Sequence, residues 1–158
     1  MANIFLDSNE TFRSADSGNT IFGSAGTDDA VLLESGVTGA SFDGSVERVD
    51  LADNLANYDF QVTANGLEVS SAGQVVASFS GVAASGLDMR TSDGDFTLRQ
   101  TGVEEFTATG AGGSSDAEPI GTSSTNVDVT LGNNTSQTAS SGSDGGSDGS
   151  GGNVPSGF

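Results

Sequence analysis

The sequence predicts an all-β protein, in which a body of short strands and tight turns is followed by a tail rich in Gly and Ser. Apolar and polar residues alternate over residues 58–81, which is the spacing of half-buried strands. Twelve glycines are spread through residues 1–106, which disfavours long helices. The chain sustains no apolar pattern with the period of a helix, so strands are expected throughout the body.

The clearest segment is a three-strand meander predicted within residues 58–81. Its three alternating runs are Phe60, Val62 and Ala64; Leu67, Val69 and Ser71; and Val75, Ala77 and Phe79. Asn65-Gly66 and Ala72-Gly73 separate the runs, and an Asn-Gly pair readily adopts the positive φ angles of a tight hairpin turn. The chain is therefore expected to reverse direction twice within this segment.

Three other segments of the body are predicted to form shorter elements. Residues 95–102 alternate apolar and polar side chains, as a strand does. Residues 45–55 allow either a strand or a short turn, because some apolar residues are three apart whereas others alternate. Residues 3–7, NIFLD, are a candidate strand at the edge of a sheet.

The composition changes near residue 107. Leu, Ile, Val and Phe number 28 in residues 1–106 but only 6 in residues 107–158. The second figure is too low for a segment to fold alone. We therefore predict a β-rich body over residues 1–106 and a low-complexity tail over residues 107–158.

One part of the tail keeps the pattern of a strand. In residues 125–131, Val127, Val129 and Leu131 alternate with polar residues, and an isolated strand of this kind needs a sheet edge to pair with. The segment is expected to dock as a donor strand on the body of a neighbouring subunit. Docking on its own body would satisfy the same pairing.

Charge and residue content exclude several function classes. The formal net charge is -18, from 22 Asp and Glu against 4 cationic residues, so the surface repels nucleic acid and anionic membranes. No apolar run is long enough to enter a membrane, and the start of the chain lacks the features of a Sec signal. Because Cys and His are both absent, oxygen ligands remain for a metal, and these suit calcium or magnesium.

Residues 23–31, GSAGTDDAV, resemble the Gly- and Asp-rich nonapeptide G-G-x-G-x-D-x-U-x of RTX proteins. Gly23, Gly26 and Asp28 occupy its first, fourth and sixth positions, whereas its second and eighth positions are not matched. Residues 17–23, SGNTIFG, look like a second unit that lacks its Asp.

The resemblance implies a secreted, calcium-dependent β-roll that is exported without a Sec signal by a type I-like route. In that family, the Asp and carbonyl oxygens of one turn supply half of a calcium site and a facing turn completes it. Carried onto this chain, Asp28 is a candidate ligand, with Asp16 or Asp29 as its partner. The alternative is that these acids are solvated turn residues. The body is then a β-solenoid of the β-roll type, while a β-sandwich stays open as the other architecture.

Further acids and amides are candidate sites. Asp93 and Asp95 flank a glycine in a predicted turn and are additional candidate calcium ligands, although a plain turn has the same pattern. Asn9, Asn133 and Asn134 lie in N-glycosylation sequons, and the Ser and Thr of the tail offer hydroxyls for O-glycans. A solubilising role of the polar tail is the alternative to bound glycans.

No arrangement of residues predicts an enzyme. The chain lacks the His of a nucleophilic triad, the Lys of a Schiff base or phosphate loop, and the Trp of a typical sugar platform. The expected function is a structural subunit of a secreted extracellular filament or matrix, assembled from copies of itself by β-strand addition and stabilised by calcium. The alternative is a monomeric calcium-dependent adhesive or ligand-binding module.

Overall fold

The computed structural model describes residues 2–24, 28–82 and 86–133. Within these residues the protein is built almost wholly of strands, with two short 3₁₀ turns at Leu55–Asn57 and Gly113–Asp116. The predicted all-β fold class is confirmed. In the same residues, neither helical turn has the length or apolar character needed to cross a bilayer.

Thirteen strands are described, and the chain divides them between two sheets. They are β1 (Asn3–Phe5), β2 (Thr11–Ser14), β3 (Thr20–Phe22), β4 (Ala30–Leu33), β5 (Ala40–Phe42), β6 (Arg48–Asp50), β7 (Asp59–Thr63), β8 (Gly66–Ser71), β9 (Gln74–Phe79), β10 (Leu87–Thr91), β11 (Gly94–Gly102), β12 (Glu105–Thr109) and β13 (Ala117–Ile120). The first sheet has the order β1-β3-β5-β9-β8-β7, and the second has the order β13-β12-β11-β10-β6-β4-β2.

The first six strands wind as a coil that alternates between the two sheets. β1, β3, β5 and β9 are parallel neighbours in the first sheet, and β2, β4, β6 and β10 are parallel neighbours in the second. Asn3 lies beside Thr20 and Thr20 beside Ser41, so one turn of the coil takes about 20 residues. This half of the body is a two-sheeted solenoid.

Antiparallel strands extend both sheets at the far end of the coil, as they would in a sandwich. The β7–β8 hairpin adds to β9 in the first sheet, and β11, β12 and β13 add to β10 in the second. Of the two elements allowed for residues 45–55, the strand is formed as β6, and the first 3₁₀ turn begins only at the last of these residues, Leu55. The body thus combines the two architectures that the sequence left open.

The predicted meander is confirmed as β7, β8 and β9, with one turn shifted. Ala72 and Gly73 both have positive φ, 53° and 81°, as a tight hairpin turn requires. The other turn is formed one residue earlier than expected, because Gly66 already pairs with Thr63 as the first residue of β8. A Cβ at Gly66 would collide with the carbonyl oxygen of Phe79, so glycine is needed there for its lack of a side chain.

Inward side chains of successive strands form two continuous ladders. The ladder of the first sheet contains Ile4, Ile21, Phe42, Phe79, Leu67 and Val62, and that of the second contains Phe12, Val31, Val49, Met89 and Phe96. The rings of Phe42 and Phe79 stack with centroids 4.9 Å apart, and Phe60 meets Phe96 edge to face at 5.8 Å. The aromatic contact between Phe60, an inward residue of β7 beside Val62, and Phe96 connects the inner faces of the two sheets into one core.

The expected boundary between body and tail at residue 107 falls inside strand β12. The folded body therefore extends beyond the boundary that the composition predicts. β12 pairs with β11 and β13, so residues 107–120 complete the second sheet. Few apolar residues suffice for this, because only every second side chain of an outer strand faces the core. Phe106, Ala108 and Ile120 are the buried ones.

Residues 121–132, called the closing segment from here on, lie along β7, the outermost strand of the first sheet, and reach the start of β11 in the second sheet. The N–H of Val62 donates to the carbonyl oxygen of Gly121 at 2.8 Å, and Phe60 and Thr125 exchange two backbone hydrogen bonds. Asp95 and Gly132 exchange two more, at 3.3 and 2.8 Å. The closing segment therefore binds first β7 and then β11.

The predicted donor strand thus docks on its own body, which is the alternative that the sequence left open. Val127 is 2% exposed, and Val129 and Leu131 pack against the core. Within the described residues, the segment pairs as a strand only at Thr125. Asn126 then departs from the strand pattern, because its side-chain amide donates to two carbonyl oxygens at the first 3₁₀ turn, at 2.9 and 2.7 Å.

Truncating the buried anchor of the closing segment is expected to destabilise the whole body. Val127→Ala should lower the free energy of unfolding by roughly 1–3 kcal/mol, since it removes buried methyl groups and leaves a cavity. Val103→Ala is the matched control, because Val103 is 88% exposed. Urea unfolding of both variants measures the difference. Equal stabilities would show that the closing segment is not part of the cooperative unit.

Candidate functional site

The turns that lead from the first sheet to the second stack on one another and are rich in carboxylates. Asp29 is fully buried and lies at the centre of this stack. Its carboxylate accepts backbone N–H groups from Glu10 in the preceding turn, at 3.3 Å, and from Ser24 in its own turn. Its backbone N–H donates to the Glu47 carboxylate in the following turn, at 2.9 Å. One residue thus links three successive turns of the coil.

A second carboxylate plays a similar part in the same stack. Asp43 Oδ1 accepts the backbone N–H groups of Gly23 and Ser45, both at 3.1 Å. The carbonyl oxygen of Asp29 accepts N–H groups from Glu47 and Arg48, also both at 3.1 Å. The acids therefore satisfy backbone donors that a sharp turn leaves without a strand partner.

The five acids expected to bind calcium occupy different environments. Asp28 and Asp16 are exposed, whereas Asp29 is buried. Asp16 lies in the turn between β2 and β3, and Asp28 lies in the turn between β3 and β4. Because these turns are at opposite ends of β3, the expected pairing of Asp16 with Asp28 is not formed.

Asp93 and Asp95 have structural surroundings. Asp93 Oδ1 accepts a hydrogen bond from the Thr91 hydroxyl at 2.6 Å and one from the Leu55 N–H at 3.1 Å. These bonds, the Thr91 bond foremost, hold the pKa of Asp93 below its usual value. Asp95 is 7% exposed on β11, opposite Arg90, and its backbone holds the closing segment. Asp93 and Asp95 do not form part of a described group of acids that could hold one ion together.

The described carboxylates do not fit the calcium site that the resemblance implies. Calcium takes roughly six to eight oxygen ligands. The described residues contain no group of three or more acids positioned to hold a metal. The oxygens of Asp29 and Asp43 face N–H groups, which a cation would repel. In the described turns, hydrogen bonds of Asp29 and Asp43 link one turn to the next.

Calcium is therefore expected to raise the melting temperature no more than sodium chloride of equal ionic strength. Both salts should stabilise the protein, because screening weakens repulsion within a chain of net charge -18. Thermal unfolding in calcium, in chelator and in matched sodium chloride measures this. An additional rise that is specific to calcium and lost in Asp28→Asn would contradict the expectation and restore the metal site.

The ionised carboxylate of Glu47 in the turn stack lowers the stability of the folded protein. Burial raises its pKa above the ordinary value of 4.5, and the charges of Asp29 and Asp28 act in the same direction. A raised pKa means that the folded state binds the proton more tightly than the unfolded state. Ionised Glu47 therefore opposes folding at neutral pH, and this cost disappears once both states are protonated.

Glu47→Gln is expected to raise the melting temperature at pH 7, because it keeps an acceptor oxygen for the Asp29 N–H and removes the charge. The difference from the unmodified protein should vanish as the pH falls below the ordinary carboxyl pKa of 4.5. Exposed Glu104→Gln serves as the control and should change the melting temperature much less. A lower melting temperature of Glu47→Gln at pH 7 would mean that charge–dipole attraction exceeds the cost of burial.

Two of the three sequon asparagines are described. Asn9 is exposed at φ 59°, and its side-chain oxygen accepts the Asp28 N–H at 3.1 Å. Asn133 is exposed after the closing segment, and Asn134 lies outside the described residues. Glycosylation stays a prediction at all three.

A cleft of about 210 Å³ opens beside Tyr58, between the turn after β4 and the turn before β9. Its walls include apolar Val37 and Val76 and the acids Glu34 and Asp53. The Tyr58 hydroxyl accepts the Asp53 N–H at 2.9 Å, and burial raises the pKa of this phenol. The phenol is therefore a neutral structural group that anchors the loop after β6.

The first turn of the coil ends both sheets with an outermost strand. β1 ends the first sheet and β2 ends the second. The N–H of Thr20 donates to the Ala2 carbonyl oxygen at 2.8 Å, and the Leu6 N–H donates to the Phe22 carbonyl oxygen at 2.9 Å. Because backbone groups alternate sides along a strand, those of Asn3 and Phe5 point away from β3. No further described strand lies on that side.

The side chains of this edge are not those of a protected edge. Phe5 is 71% exposed, and its ring stacks on Phe22 at 4.8 Å, with 11° between the ring planes. β1 has no charged residue, and β2 has only Arg13. Natural edge strands are commonly blunted by charges, prolines or bulges, and β1 has none of these. We call β1 and β2 the open edge.

Comparison with known proteins gave no match: no family model, no curated protein and no solved structure resembles the chain closely enough to report.

The sequence located the open edge only in outline. Residues 3–7 were expected to line an edge, but nothing in the pattern distinguished Asn3 and Phe5 from Ile4. Once β1 is known to be an end strand, alternation along the strand is enough to separate Asn3 and Phe5 from Ile4. Glu47 and Asp43 were seen as turn acids, and their contacts with other turns needed the register of the coil.

Proposed function

We propose that this chain is a structural subunit of an extracellular assembly and that it associates by β-strand addition at the open edge. The observation that carries this proposal is the set of outward backbone groups of Asn3 and Phe5, beside an exposed aromatic ring on a strand without charge. Such an edge offers ready hydrogen bonds to another strand, and the stacked pair Phe5–Phe22 adds apolar area to bury.

The contrast between the two ends of the body supports this choice. At the far end, β7, the outermost strand of the first sheet, is covered by residues 121–125, and the closing segment continues to the start of β11 through the bonds of Gly132 with Asp95. The open edge has no corresponding cover among the described residues. Solenoids generally need a cap at each end, so an end without one is suited to association. The open edge replaces strand 125–131 as the proposed site of association, because residues 125–131 are held by their own body.

Three further features agree with a place outside the cell. The coil of parallel short strands is the architecture that the RTX resemblance implies, and proteins of that family are secreted. The absence of Cys suits a protein that needs neither disulfides nor reduced thiols, and the strong negative charge keeps it soluble at high concentration. Calcium is not part of the proposal, since Asp29, Asp43 and Glu47 serve as hydrogen-bond acceptors between turns. The alternative function, a calcium-dependent adhesive or ligand-binding module, depended on bound calcium and is therefore not proposed.

The proposal is tested by sedimentation velocity over a concentration series. The unmodified chain should associate, and more strongly as salt screens its net charge of -18. Phe5→Asp should raise the dissociation constant roughly tenfold or more, because it places a carboxylate against the incoming strand. Val103→Asp is the matched control, since it adds the same charge at a residue that is 88% exposed elsewhere.

Equal weakening by Phe5→Asp and Val103→Asp would show that total charge, and not the open edge, governs association. A chain that stays monomeric at all concentrations and salt levels would contradict the proposed function itself.

A further inference from the structure

We propose that the partner at the open edge is a second copy of this chain, related by a two-fold axis that is perpendicular to both sheets and passes midway between each of Ile4 and Phe12 and its symmetry mate. This inference rests on the proposed function and gives it a specific partner and register. It follows from the backbone of β1, from the symmetry of the first turn of the coil and from the distribution of charge.

The backbone of β1 favours one register. Asn3 and Phe5 point their N–H and C=O groups outward and flank Ile4, whose side chain points to the core. In an antiparallel pair centred on Ile4, Asn3 lies opposite Phe5 of the second copy, and each of the two such pairs exchanges two hydrogen bonds. A register centred on Asn3 or on Phe5 would leave one of these residues without a counterpart in a strand of 3 residues.

The same axis serves the second sheet. The turn between β1 and β2 reverses the chain, so the two strands run in opposite directions in opposite sheets. Ile4 and Phe12 are equally far along the chain from Ser8, the middle of that turn, so they lie at the same level. A two-fold axis that passes beside both residues, on the open side of β1 and β2, brings β1 beside its copy and β2 beside its copy at once, both antiparallel.

This arrangement extends the core of the molecule. Ile4 and Phe12 are the end residues of the two inner ladders and are only partly buried. The axis places each beside its own symmetry mate, so both ladders continue into the second copy without a break. The interface therefore continues the packing that already joins β1 to β3 and β2 to β4.

Charge favours a second copy over a basic partner. In a chain with 22 acids, β1 has no ionisable side chain and β2 has only Arg13, whose side chain is 64% exposed. A basic partner would be attracted to the acid-rich surfaces instead. At the open edge, the facing strands of two copies have no acidic side chain, so repulsion between carboxylates is weak there.

The register can be tested with single cysteines, because the chain has none of its own. Asn3→Cys and Phe5→Cys are prepared separately, mixed and oxidised, with a mass tag on one of them. The proposed register places positions 3 and 5 of different copies directly opposite, within the Cα range of a disulfide. Position 3 and its own symmetry mate are about 8 Å apart, too far for a disulfide.

A several-fold excess of the mixed disulfide over either homodimer is the expected result. A mixture of Asn3→Cys with Val103→Cys is the control and should give only background product. The mixed disulfide should also be lost when Ile4→Pro is added to both chains, because proline removes the N–H with which residue 4 binds β3 and so displaces the edge strand.

The outcomes separate this inference from the proposed function. Association that depends on Phe5 but gives no excess of the mixed disulfide would overturn the two-fold register and leave the proposed function standing. Homodimers in excess would show a different register and also overturn it. A mixed disulfide in a chain whose association does not depend on Phe5 would support the register while contradicting the functional role of the exposed ring.

Discussion

The parallel register between successive turns of the coil is the constraint on which the rest of the molecule depends. It aligns Ile4 with Ile21, Ile21 with Phe42 and Phe42 with Phe79, so each turn adds one layer to a continuous core. A slip of one residue would turn every inward side chain outward, because side chains alternate along a strand. The same register stacks the turns, and this stacking allows Asp29 to reach the backbone of the turns before and after its own.

In this acidic chain, several carboxylates are stabilised by hydrogen bonds or cationic side chains close to them in the fold. In the turn stack, buried carboxylates face backbone N–H groups, which offset desolvation without an ion. On the outer face of the second sheet, Arg48 binds Asp50 through two hydrogen bonds of 2.7 and 2.6 Å, and Arg90 binds Asp88 at 3.1 Å. Asp88 also lies opposite Arg48 across β10 and β6. Two of the four cationic residues are therefore placed where parallel strands bring carboxylates together.

The sequence predicted those parts of the fold whose information is local. The meander was predictable because its strands are five or six residues long and Ala72-Gly73 marks a turn. The coil was expected only from the RTX-like motif, as one of two architectures, because β3 and β5 have only 3 residues each, too few to show a period. The motif spacing favoured Asp28 as a ligand, but a single sequence does not show which of two adjacent acids faces inward. The docking of Val127 on its own body depends on the position of β7, which is distant in the chain.

The two ends of the body solve the same physical problem in different ways. Each end must satisfy the backbone groups of an outermost strand and cover the last layer of the core. At the far end of the first sheet, the closing segment does both, since its backbone bonds to Phe60 of β7 and its Val127 enters the core. At the open edge, the backbone N–H and C=O groups of Asn3 and Phe5 point outward, where no further described strand pairs with them. The side chains of β1 are neutral and do not repel another strand. Because the rest of the surface is strongly acidic, like-charge repulsion disfavours most contacts between copies and leaves this edge as the least opposed one. The negative charge thus directs association as well as limiting it.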